Sequence, residues 1–199
     1  MMNLGLAASI FGFIFVAELP DKTAIASLVL ATRFKPLVVF AGAALAFIIQ
    51  SLVAILVGGL FSLLPEAVVH RVAGALFLVF AFFMWRDAGK NEDAEEEETI
   101  EKEIAGKKQT FWAGMWTAFI VVFLAEWGDL TQLATATLEA KYRDPVTVFI
   151  GATLALWAVS AIAIVIGSRV RTIFNPEITK KIAAVIFALL GVALVIGIL

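Results

Sequence analysis

The sequence has no cysteine and only one histidine among its 199 residues. Without cysteine the chain cannot form a disulfide, a thiolate metal site or a redox dithiol. Charged residues are also scarce, at 16%, and several long segments carry none. Hydrophobic residues make up 62% of the chain, and the mean hydropathy is +0.99. Because soluble domains contain only about 45–50% apolar residues, this composition predicts a polytopic membrane protein.

Six apolar segments are long enough to cross a bilayer, whose hydrocarbon core of about 30 Å needs about 20 helical residues. They lie at residues 4–31, 37–64, 67–85, 111–138, 146–168 and 182–199. Because backbone groups in lipid must be satisfied within the protein, these segments predict helices and not an open sheet. We therefore expect an all-α integral membrane protein with six transmembrane helices.

The positive residues predict which side of the membrane each loop occupies. Eleven of the fifteen Lys and Arg residues fall in the loops after the first, third and fifth segments, whereas Arg71, Lys141 and Arg143 fall on the other side. Positive residues favour cytoplasmic loops. We therefore expect a protein of a bacterial inner membrane with both termini outside and the central loop in the cytoplasm.

The loop between the third and fourth segments contains the acidic run NEDAEEEETIEKE, at residues 91–103. This run is typical of a solvated linker or a short charged helix. A cation-sensing segment is the alternative, although the spacing indicates no defined site. We expect three units: a three-helix repeat at residues 1–87, an acidic cytoplasmic linker at 88–110 and a second three-helix repeat at 111–199.

Two apolar segments carry the same polar motif at their centres. ELPDKT at residues 18–23 and EWGDLT at residues 126–131 share the pattern Glu-x-x-Asp-x-Thr. The match continues after a one-residue insertion, where GAALA from Gly42 corresponds to GATLA from Gly151. A half with three spans ends on the opposite side from its start, so the second half is inverted. Inverted repeats are a transporter architecture with the substrate site at the membrane midplane.

The Glu and Asp of each motif are three residues apart, on one helix face. A twofold axis between the halves is expected to bring both pairs together. The predicted metal ligands are Glu18, Asp21, Glu126 and Asp129. The side chains predicted to line this site are Lys22, Thr23, Thr131, Gln132 and Gln50.

Four clustered carboxylates cannot all remain ionised inside an apolar bundle, because burial and like-charge repulsion both disfavour the ionised form. Protons or a bound divalent cation relieve this cost, and they compete for the same oxygen atoms. This competition is the physical basis of cation/proton exchange. The ligands are hard oxygen atoms, which suit Mg²⁺, Ca²⁺ or Mn²⁺ better than Zn²⁺ or Cu⁺. Pro20 and Gly128, one in each motif, can interrupt the helices and release a carbonyl towards the site.

With these two motifs the sequence resembles the calcium/manganese cation:proton antiporter family. That family includes the Gdt-type Golgi and chloroplast transporters and the bacterial MneA-type manganese exporters. The resemblance covers nearly the whole chain and implies proton-coupled transport of Mn²⁺ or Ca²⁺ through the four acidic residues. Two positions depart from the family pattern Glu-x-Gly-Asp-(Lys/Arg)-(Ser/Thr), because Pro20 replaces its Gly and Leu130 replaces its Lys or Arg.

The leading hypothesis is a secondary transporter, not an enzyme, that exports Mn²⁺ from the cytoplasm in exchange for protons. It uses no cofactor, since the metal ion is the cargo and the proton the coupling ion. A Ca²⁺/H⁺ antiporter of the same mechanism is the nearest alternative. An intramembrane aspartyl protease and a non-transporting membrane scaffold are alternatives of other classes. The expected partners are the ions and the lipid bilayer, with no nucleic acid, and both a monomer and a homodimer stay open.

Overall fold

The computed structural model describes residues 3–18, 22–88, 93–104, 110–166 and 176–197. Within these ranges the regular structure is entirely α-helical, as the composition predicts. The helices are α1 (Leu4–Glu18), α2 (Lys22–Arg33), α3 (Pro36–Phe61), α4 (Glu66–Asp87), α5 (Asp93–Ile104), α6 (Phe111–Ala125), α7 (Leu130–Tyr142), α8 (Pro145–Ile166) and α9 (Pro176–Val195).

Three stretches of the described chain are single helices long and apolar enough to cross a membrane. They are Pro36–Phe61, Ala67–Asp87 and Pro145–Val165. A fourth crossing results if α6 and α7, which are bent by 73° relative to each other, form one broken span. Helix α1 is apolar, but its 15 residues extend only about 22 Å. Each of the six predicted segments therefore contains helix, and the fourth is divided into two helices. The described parts of the first segment are helical on both sides of residues 19–21.

The break between α6 and α7 falls inside the second polar motif. Glu126 follows the last residue of α6, and Asp129 immediately precedes α7. Between them Gly128 has φ +76°, in the left-handed region that a residue without Cβ adopts at little cost. The interruption predicted from Gly128 is therefore present. In the first motif Pro20 and Asp21 lie outside the described residues.

Helix α3 lies at the centre of the bundle and packs against α6, α7 and α8, while α4 packs against α9 and α1 against α8. Glycine permits the close approaches. Gly42 on α3 lies against the backbone oxygen of Met115, and Gly151 on α8 lies against the backbone oxygen of Ala7. Met115 follows Ala7 by 108 residues, the offset between the two motifs. The same helix contact therefore occurs at equivalent positions of the two sequence halves.

The acidic segment forms a helix that is attached to the bundle. Helix α5 packs against α2, with Ile100 and Ile104 buried in the hydrophobic core. On its exposed face Lys102 forms an ion pair with Glu98, one turn earlier, at 2.6 Å. Residues 93–104 thus form the short charged helix that the acidic run predicts, and two isoleucines attach it to the bundle beside α2.

We expect Gly42→Ala to destabilise the fold, because the added Cβ would overlap the Met115 backbone and lie 2.8 Å from the Cβ of Ala118. Overpacking of this kind costs about 1–3 kcal/mol. Thermal unfolding in detergent measures the effect. The matched control is Gly59→Ala on the same helix, where the added Cβ has nothing within 4 Å. Equal stability of the two variants would contradict the close α3–α6 contact.

Candidate divalent-cation site

Three of the four predicted carboxylates meet in the structure. Glu18, Glu126 and Asp129 each place one carboxylate oxygen within 4.8 Å of those of the other two. Glu18 is fully buried and Glu126 is 3% exposed, whereas Asp129 is partly exposed. Residues 108 positions apart in the sequence, Glu18 and Glu126, therefore face each other in the interior. Asp21, the fourth predicted ligand, lies outside the described residues.

Helix ends position two of the three side chains. Glu126 follows the end of α6, and Asp129 is the N-cap residue of α7. At these two positions the helical hydrogen-bond pattern stops, so backbone groups are available beside the carboxylates. Glu18, the third carboxylate, lies on α1.

Asp129 is held in place by the start of α7. Its Oδ1 accepts a hydrogen bond from the Gln132 backbone N–H at 2.7 Å, and its Oδ2 accepts one from the Thr131 hydroxyl at 2.7 Å. The Gln132 side chain reaches back, and its Oε1 accepts from the Gly128 N–H at 2.7 Å. This reciprocal cap fixes the orientation of the Asp129 carboxylate and explains why Thr131 and Gln132 belong to the site.

Gln50 stabilises the helix break from the neighbouring helix. At the end of α6 the Trp127 N–H is directed to the Leu124 carbonyl, three residues back, and not to that of Phe123. The Gln50 side chain on α3 donates its Nε2 hydrogen to the Phe123 carbonyl at 3.0 Å. This bond joins α3 to the end of α6. The Gln50 side chain also lines a small cavity beside Glu126 and Asp129.

A larger cavity of about 330 Å³ extends from the carboxylates to one end of the bundle. Glu126, Asp129 and Thr131 line its inner part. Asp87, at the end of α4, and Lys180, near the start of α9, lie at its outer part. The cavity therefore lies between two of the carboxylates, Glu126 and Asp129, and the end of the bundle at which α4 finishes and α9 begins.

The spacing of the carboxylate oxygens suits one divalent cation. Ca²⁺ binds oxygen at about 2.3–2.6 Å and Mg²⁺ at about 2.0–2.1 Å, so two ligands of one ion are separated by at most about 4–5 Å. The 4.8 Å limit on the three oxygens falls within this range for Ca²⁺, and small side-chain rotations bring it within the range for a smaller ion. An all-oxygen set of this kind suits Mg²⁺, Ca²⁺ and Mn²⁺.

The other predicted residues divide into two groups. Thr131, Gln132 and Gln50 lie at the site, as described above. Lys22 and Thr23 begin α2, but their side chains fall outside what the structure describes.

Two further residues at the large cavity, and one further along α7, were not predicted. Asp87 and Lys180 line the large cavity, and their places at segment ends gave no signal in the sequence. Glu139 was left out because the fourth segment was expected to end at residue 138. Helix α7 continues to Tyr142 instead and buries Glu139. The pattern Thr131, Thr135 and Glu139, with one polar residue in every turn, was the signal that could have found it.

Known proteins match the two regions of the chain that contain the motifs. The family described as "Divalent cation/proton antiporter GDT1" matches residues 6–92 and 114–198. GDT1-like protein sll0615 of Synechocystis is 30% identical over 90% of this chain and 91% of its own length. The rice chloroplastic GDT1-like protein 2 is 29% identical over 94% of this chain, which spans 60% of that relative. The PAM71-homolog of Arabidopsis is 25% identical, and the chain spans 58% of it. No solved structure matches.

Asp129 both caps α7 and supplies a carboxylate, and two substitutions separate these roles. Asn is as good an N-cap as Asp, whereas Ala costs about 0.5–2 kcal/mol at such a position. We expect Asp129→Asn to keep the thermal stability of the protein and Asp129→Ala to lower it. Both variants should weaken Mn²⁺ binding, measured by calorimetry in detergent, by about tenfold or more, because both remove the charge. Native Mn²⁺ affinity in Asp129→Asn would show that this carboxylate is only a cap.

Proposed function

This chain belongs to the GDT1 family of divalent cation/proton antiporters, and from that premise we propose that it exchanges Mn²⁺ for protons across a membrane. The family consists of membrane transporters and not enzymes, so the predicted family, the membrane character and the non-enzymatic nature of the chain are confirmed. The observation that carries the proposal is the meeting of Glu18, Glu126 and Asp129, whose carboxylate oxygens lie within 4.8 Å of one another.

The buried carboxylates supply the coupling between cation and proton. Each occupies an apolar interior in which an isolated charge costs about 2.5–3.5 kcal/mol on insertion scales. A bound divalent cation neutralises two of these charges, and protons neutralise them when the cation leaves. Because the same oxygen atoms accept either the metal or the protons, the site is not filled by both at once. Loss of one species therefore accompanies binding of the other. We include Asp21 as the fourth ligand, on the basis of its place in the first motif.

The large cavity supports a cytoplasm-facing state of the transport cycle. It opens at the end of the bundle marked by Asp87 and Lys180. Arg33, Lys35 and Thr110 line another cavity at that end of α3 and α6, on the side that the positive residues assign to the cytoplasm. In this state cytoplasmic Mn²⁺ enters the site and displaces protons. After the change of access, protons from the other side displace the ion.

The recurrence of helix contacts supports two inverted halves, at residues 1–87 and 111–199, as the moving units. Gly42 packs against the Met115 backbone, and Gly151 packs against the Ala7 backbone at the equivalent position of the other half. Two arrangements of nearly equal energy are the expected property of such a pair. We propose that the two halves close over the carboxylates in turn, so that the site is open first to one side of the membrane and then to the other. Both termini lie outside, and α5 lies in the cytoplasm.

Mn²⁺ is proposed as the principal cargo and Ca²⁺ as the second candidate. The described carboxylates and the Thr131 hydroxyl are all oxygen ligands, which both ions accept. Ca²⁺ commonly takes six to eight oxygens, more than the described side chains offer. Mn²⁺ is satisfied by six oxygens in octahedral geometry, so it needs fewer ligands beyond the described side chains than an eight-coordinate Ca²⁺.

Metal flux into proteoliposomes under an imposed pH gradient tests the proposal. We expect gradient-dependent Mn²⁺ flux in the native protein and a loss of about a hundredfold or more in Glu18→Gln and in Glu126→Gln, since each removes a ligand charge from the same site. Offering Ca²⁺ together with Mn²⁺ measures the preference between the two ions.

Glu177→Gln is the matched control for these variants. Glu177 lies on α9, is paired with Lys181 at 2.5 Å and is exposed, so its substitution should leave the flux unchanged. Folded native protein that moves neither ion would overturn the exchanger. Flux retained in Glu126→Gln would overturn the shared site.

A further inference from the structure

Helix α7 carries a second buried carboxyl group, Glu139, away from the cation site. It is 4% exposed, and within the described part of the chain its Oε2 has no hydrogen-bond partner. It follows Asp129 by ten residues, which places it about 15 Å further along the helix axis. An ionisable side chain buried in this way is costly, and it calls for a functional explanation.

Polar side chains connect Glu139 with the site along one face of α7. Thr131, Thr135 and Glu139 are spaced at four-residue intervals, which places them on the same face, and all three are buried. The Thr131 hydroxyl donates to Asp129, and the Thr135 hydroxyl donates to the Thr131 carbonyl at 2.8 Å. The bonded series therefore extends from the carboxylate site to Thr135, and Glu139 lies one turn further along the same face.

Helix α3 covers this face. Its Gly58 lies against the Ala136 backbone, and an added Cβ at Gly58 would be 2.7 Å from the Glu139 Cβ. Ser51 lies two turns before Gly58 on α3, and Thr135 lies one turn before Glu139 on α7. Both line the small cavity that Glu126 and Asp129 also line. The Ser51 hydroxyl has no hydrogen-bond partner within the described chain. A polar seam with spare hydrogen-bonding capacity thus runs between α3 and α7.

Glu139 lies on the side of the site opposite to the large cavity. Along α3, Gly42 contacts α6 and Gly58 contacts α7, so Glu139 is near the end of α3 remote from Lys35. That end of the bundle also contains His70, Lys141 and Arg143, which line a separate cavity of about 120 Å³ with Ala140. Glu139 therefore approaches the end of the bundle opposite to the end that contains Asp87 and Lys180.

The charged groups around Glu139 come from few elements. Helices α3 and α8 contain no titratable residue, and α1 contains only Glu18. His70 and Arg71 are on α4 near its start, and Lys141 and Arg143 are on α7. Asp144, which precedes α8, accepts hydrogen bonds from the Thr147 hydroxyl and N–H, and these hold the pKa of Asp144 below its ordinary value.

We propose that Glu139 carries the coupling protons between the cation site and the face of the protein remote from Asp87 and Lys180. The inference rests on the proposed cation/proton exchange. In the step, an O–H bond of a hydronium ion at that face breaks as an O–H bond forms on the Glu139 carboxylate. The proton then passes along the Thr135 and Ser51 hydroxyls between α7 and α3, each of which accepts one proton as it gives up another, until an O–H bond forms on a site carboxylate. This last transfer releases the cation and leaves Glu139 in its ionised form.

Only the second half of the chain has this group. The offset of 108 residues that relates the motifs pairs Glu139 with Ala31. The path therefore serves one side of the membrane, which by the proposed topology is the outside.

Two transport modes in proteoliposomes separate a proton carrier from a structural residue. Exchange of Mn²⁺ for Mn²⁺ at equal pH needs no proton transfer, whereas uptake driven by a pH gradient does. We expect Glu139→Gln to reduce the gradient-driven flux by about tenfold or more, the scale of losing a proton-transfer group, and to leave Mn²⁺/Mn²⁺ exchange within about twofold. Glu139→Asp should retain much of the gradient-driven flux, and Glu177→Gln all of it.

The outcomes distinguish this inference from the function on which it rests. An equal loss of both modes in Glu139→Gln, or gradient-driven flux at the native rate, would overturn the proton-carrying role alone. A native protein without flux in either mode would overturn the exchanger and this role with it. Glu126→Gln should lose both modes, because it removes a ligand of the ion itself.

Discussion

A carboxylate buried among apolar helices destabilises the protein unless a proton or a cation neutralises it. The rest of the structure depends on this constraint. Glu18 and Glu126 are almost fully buried and near Asp129, so they cannot all be charged without a partner. The fold keeps these carboxylates in the interior and places a 330 Å³ cavity beside Glu126 and Asp129. In the proposed function this cavity is where the neutralising species are exchanged.

The broken helix makes such a site possible. A continuous helix would satisfy its own backbone and would present the two acidic residues of a motif only through their side chains. The turn at Gly128 instead allows Asp129 to cap α7 and Gln50 to bind the Phe123 carbonyl. Asp129 and Thr131 are therefore held by hydrogen bonds, whereas the cavity leaves room for an ion. Close glycine contacts such as Gly42 on Met115 hold α3 against α6.

Much of this arrangement could be predicted from the sequence because its signals are local. The apolar segments predicted the helices, and the duplicated motif predicted that Glu18, Glu126 and Asp129 meet. Gly128 predicted the helix break. Other features depend on tertiary packing, which has no local signal. The carbonyl that Gln50 binds is on another helix, and Ile100 and Ile104 attach an otherwise acidic helix to the core. Glu139 was missed because hydropathy ends the segment before it, although packing against Gly58 extends the buried part of α7.

Counting the protons released when Mn²⁺ binds to the purified protein, in weak buffer with a pH-sensitive dye, tests the central claim most directly. If protons and the cation compete for the same buried carboxylates, each Mn²⁺ bound should release about one proton or more, and Glu126→Gln should release none because it does not bind the ion. Tight Mn²⁺ binding to the native protein with no proton release would contradict the account.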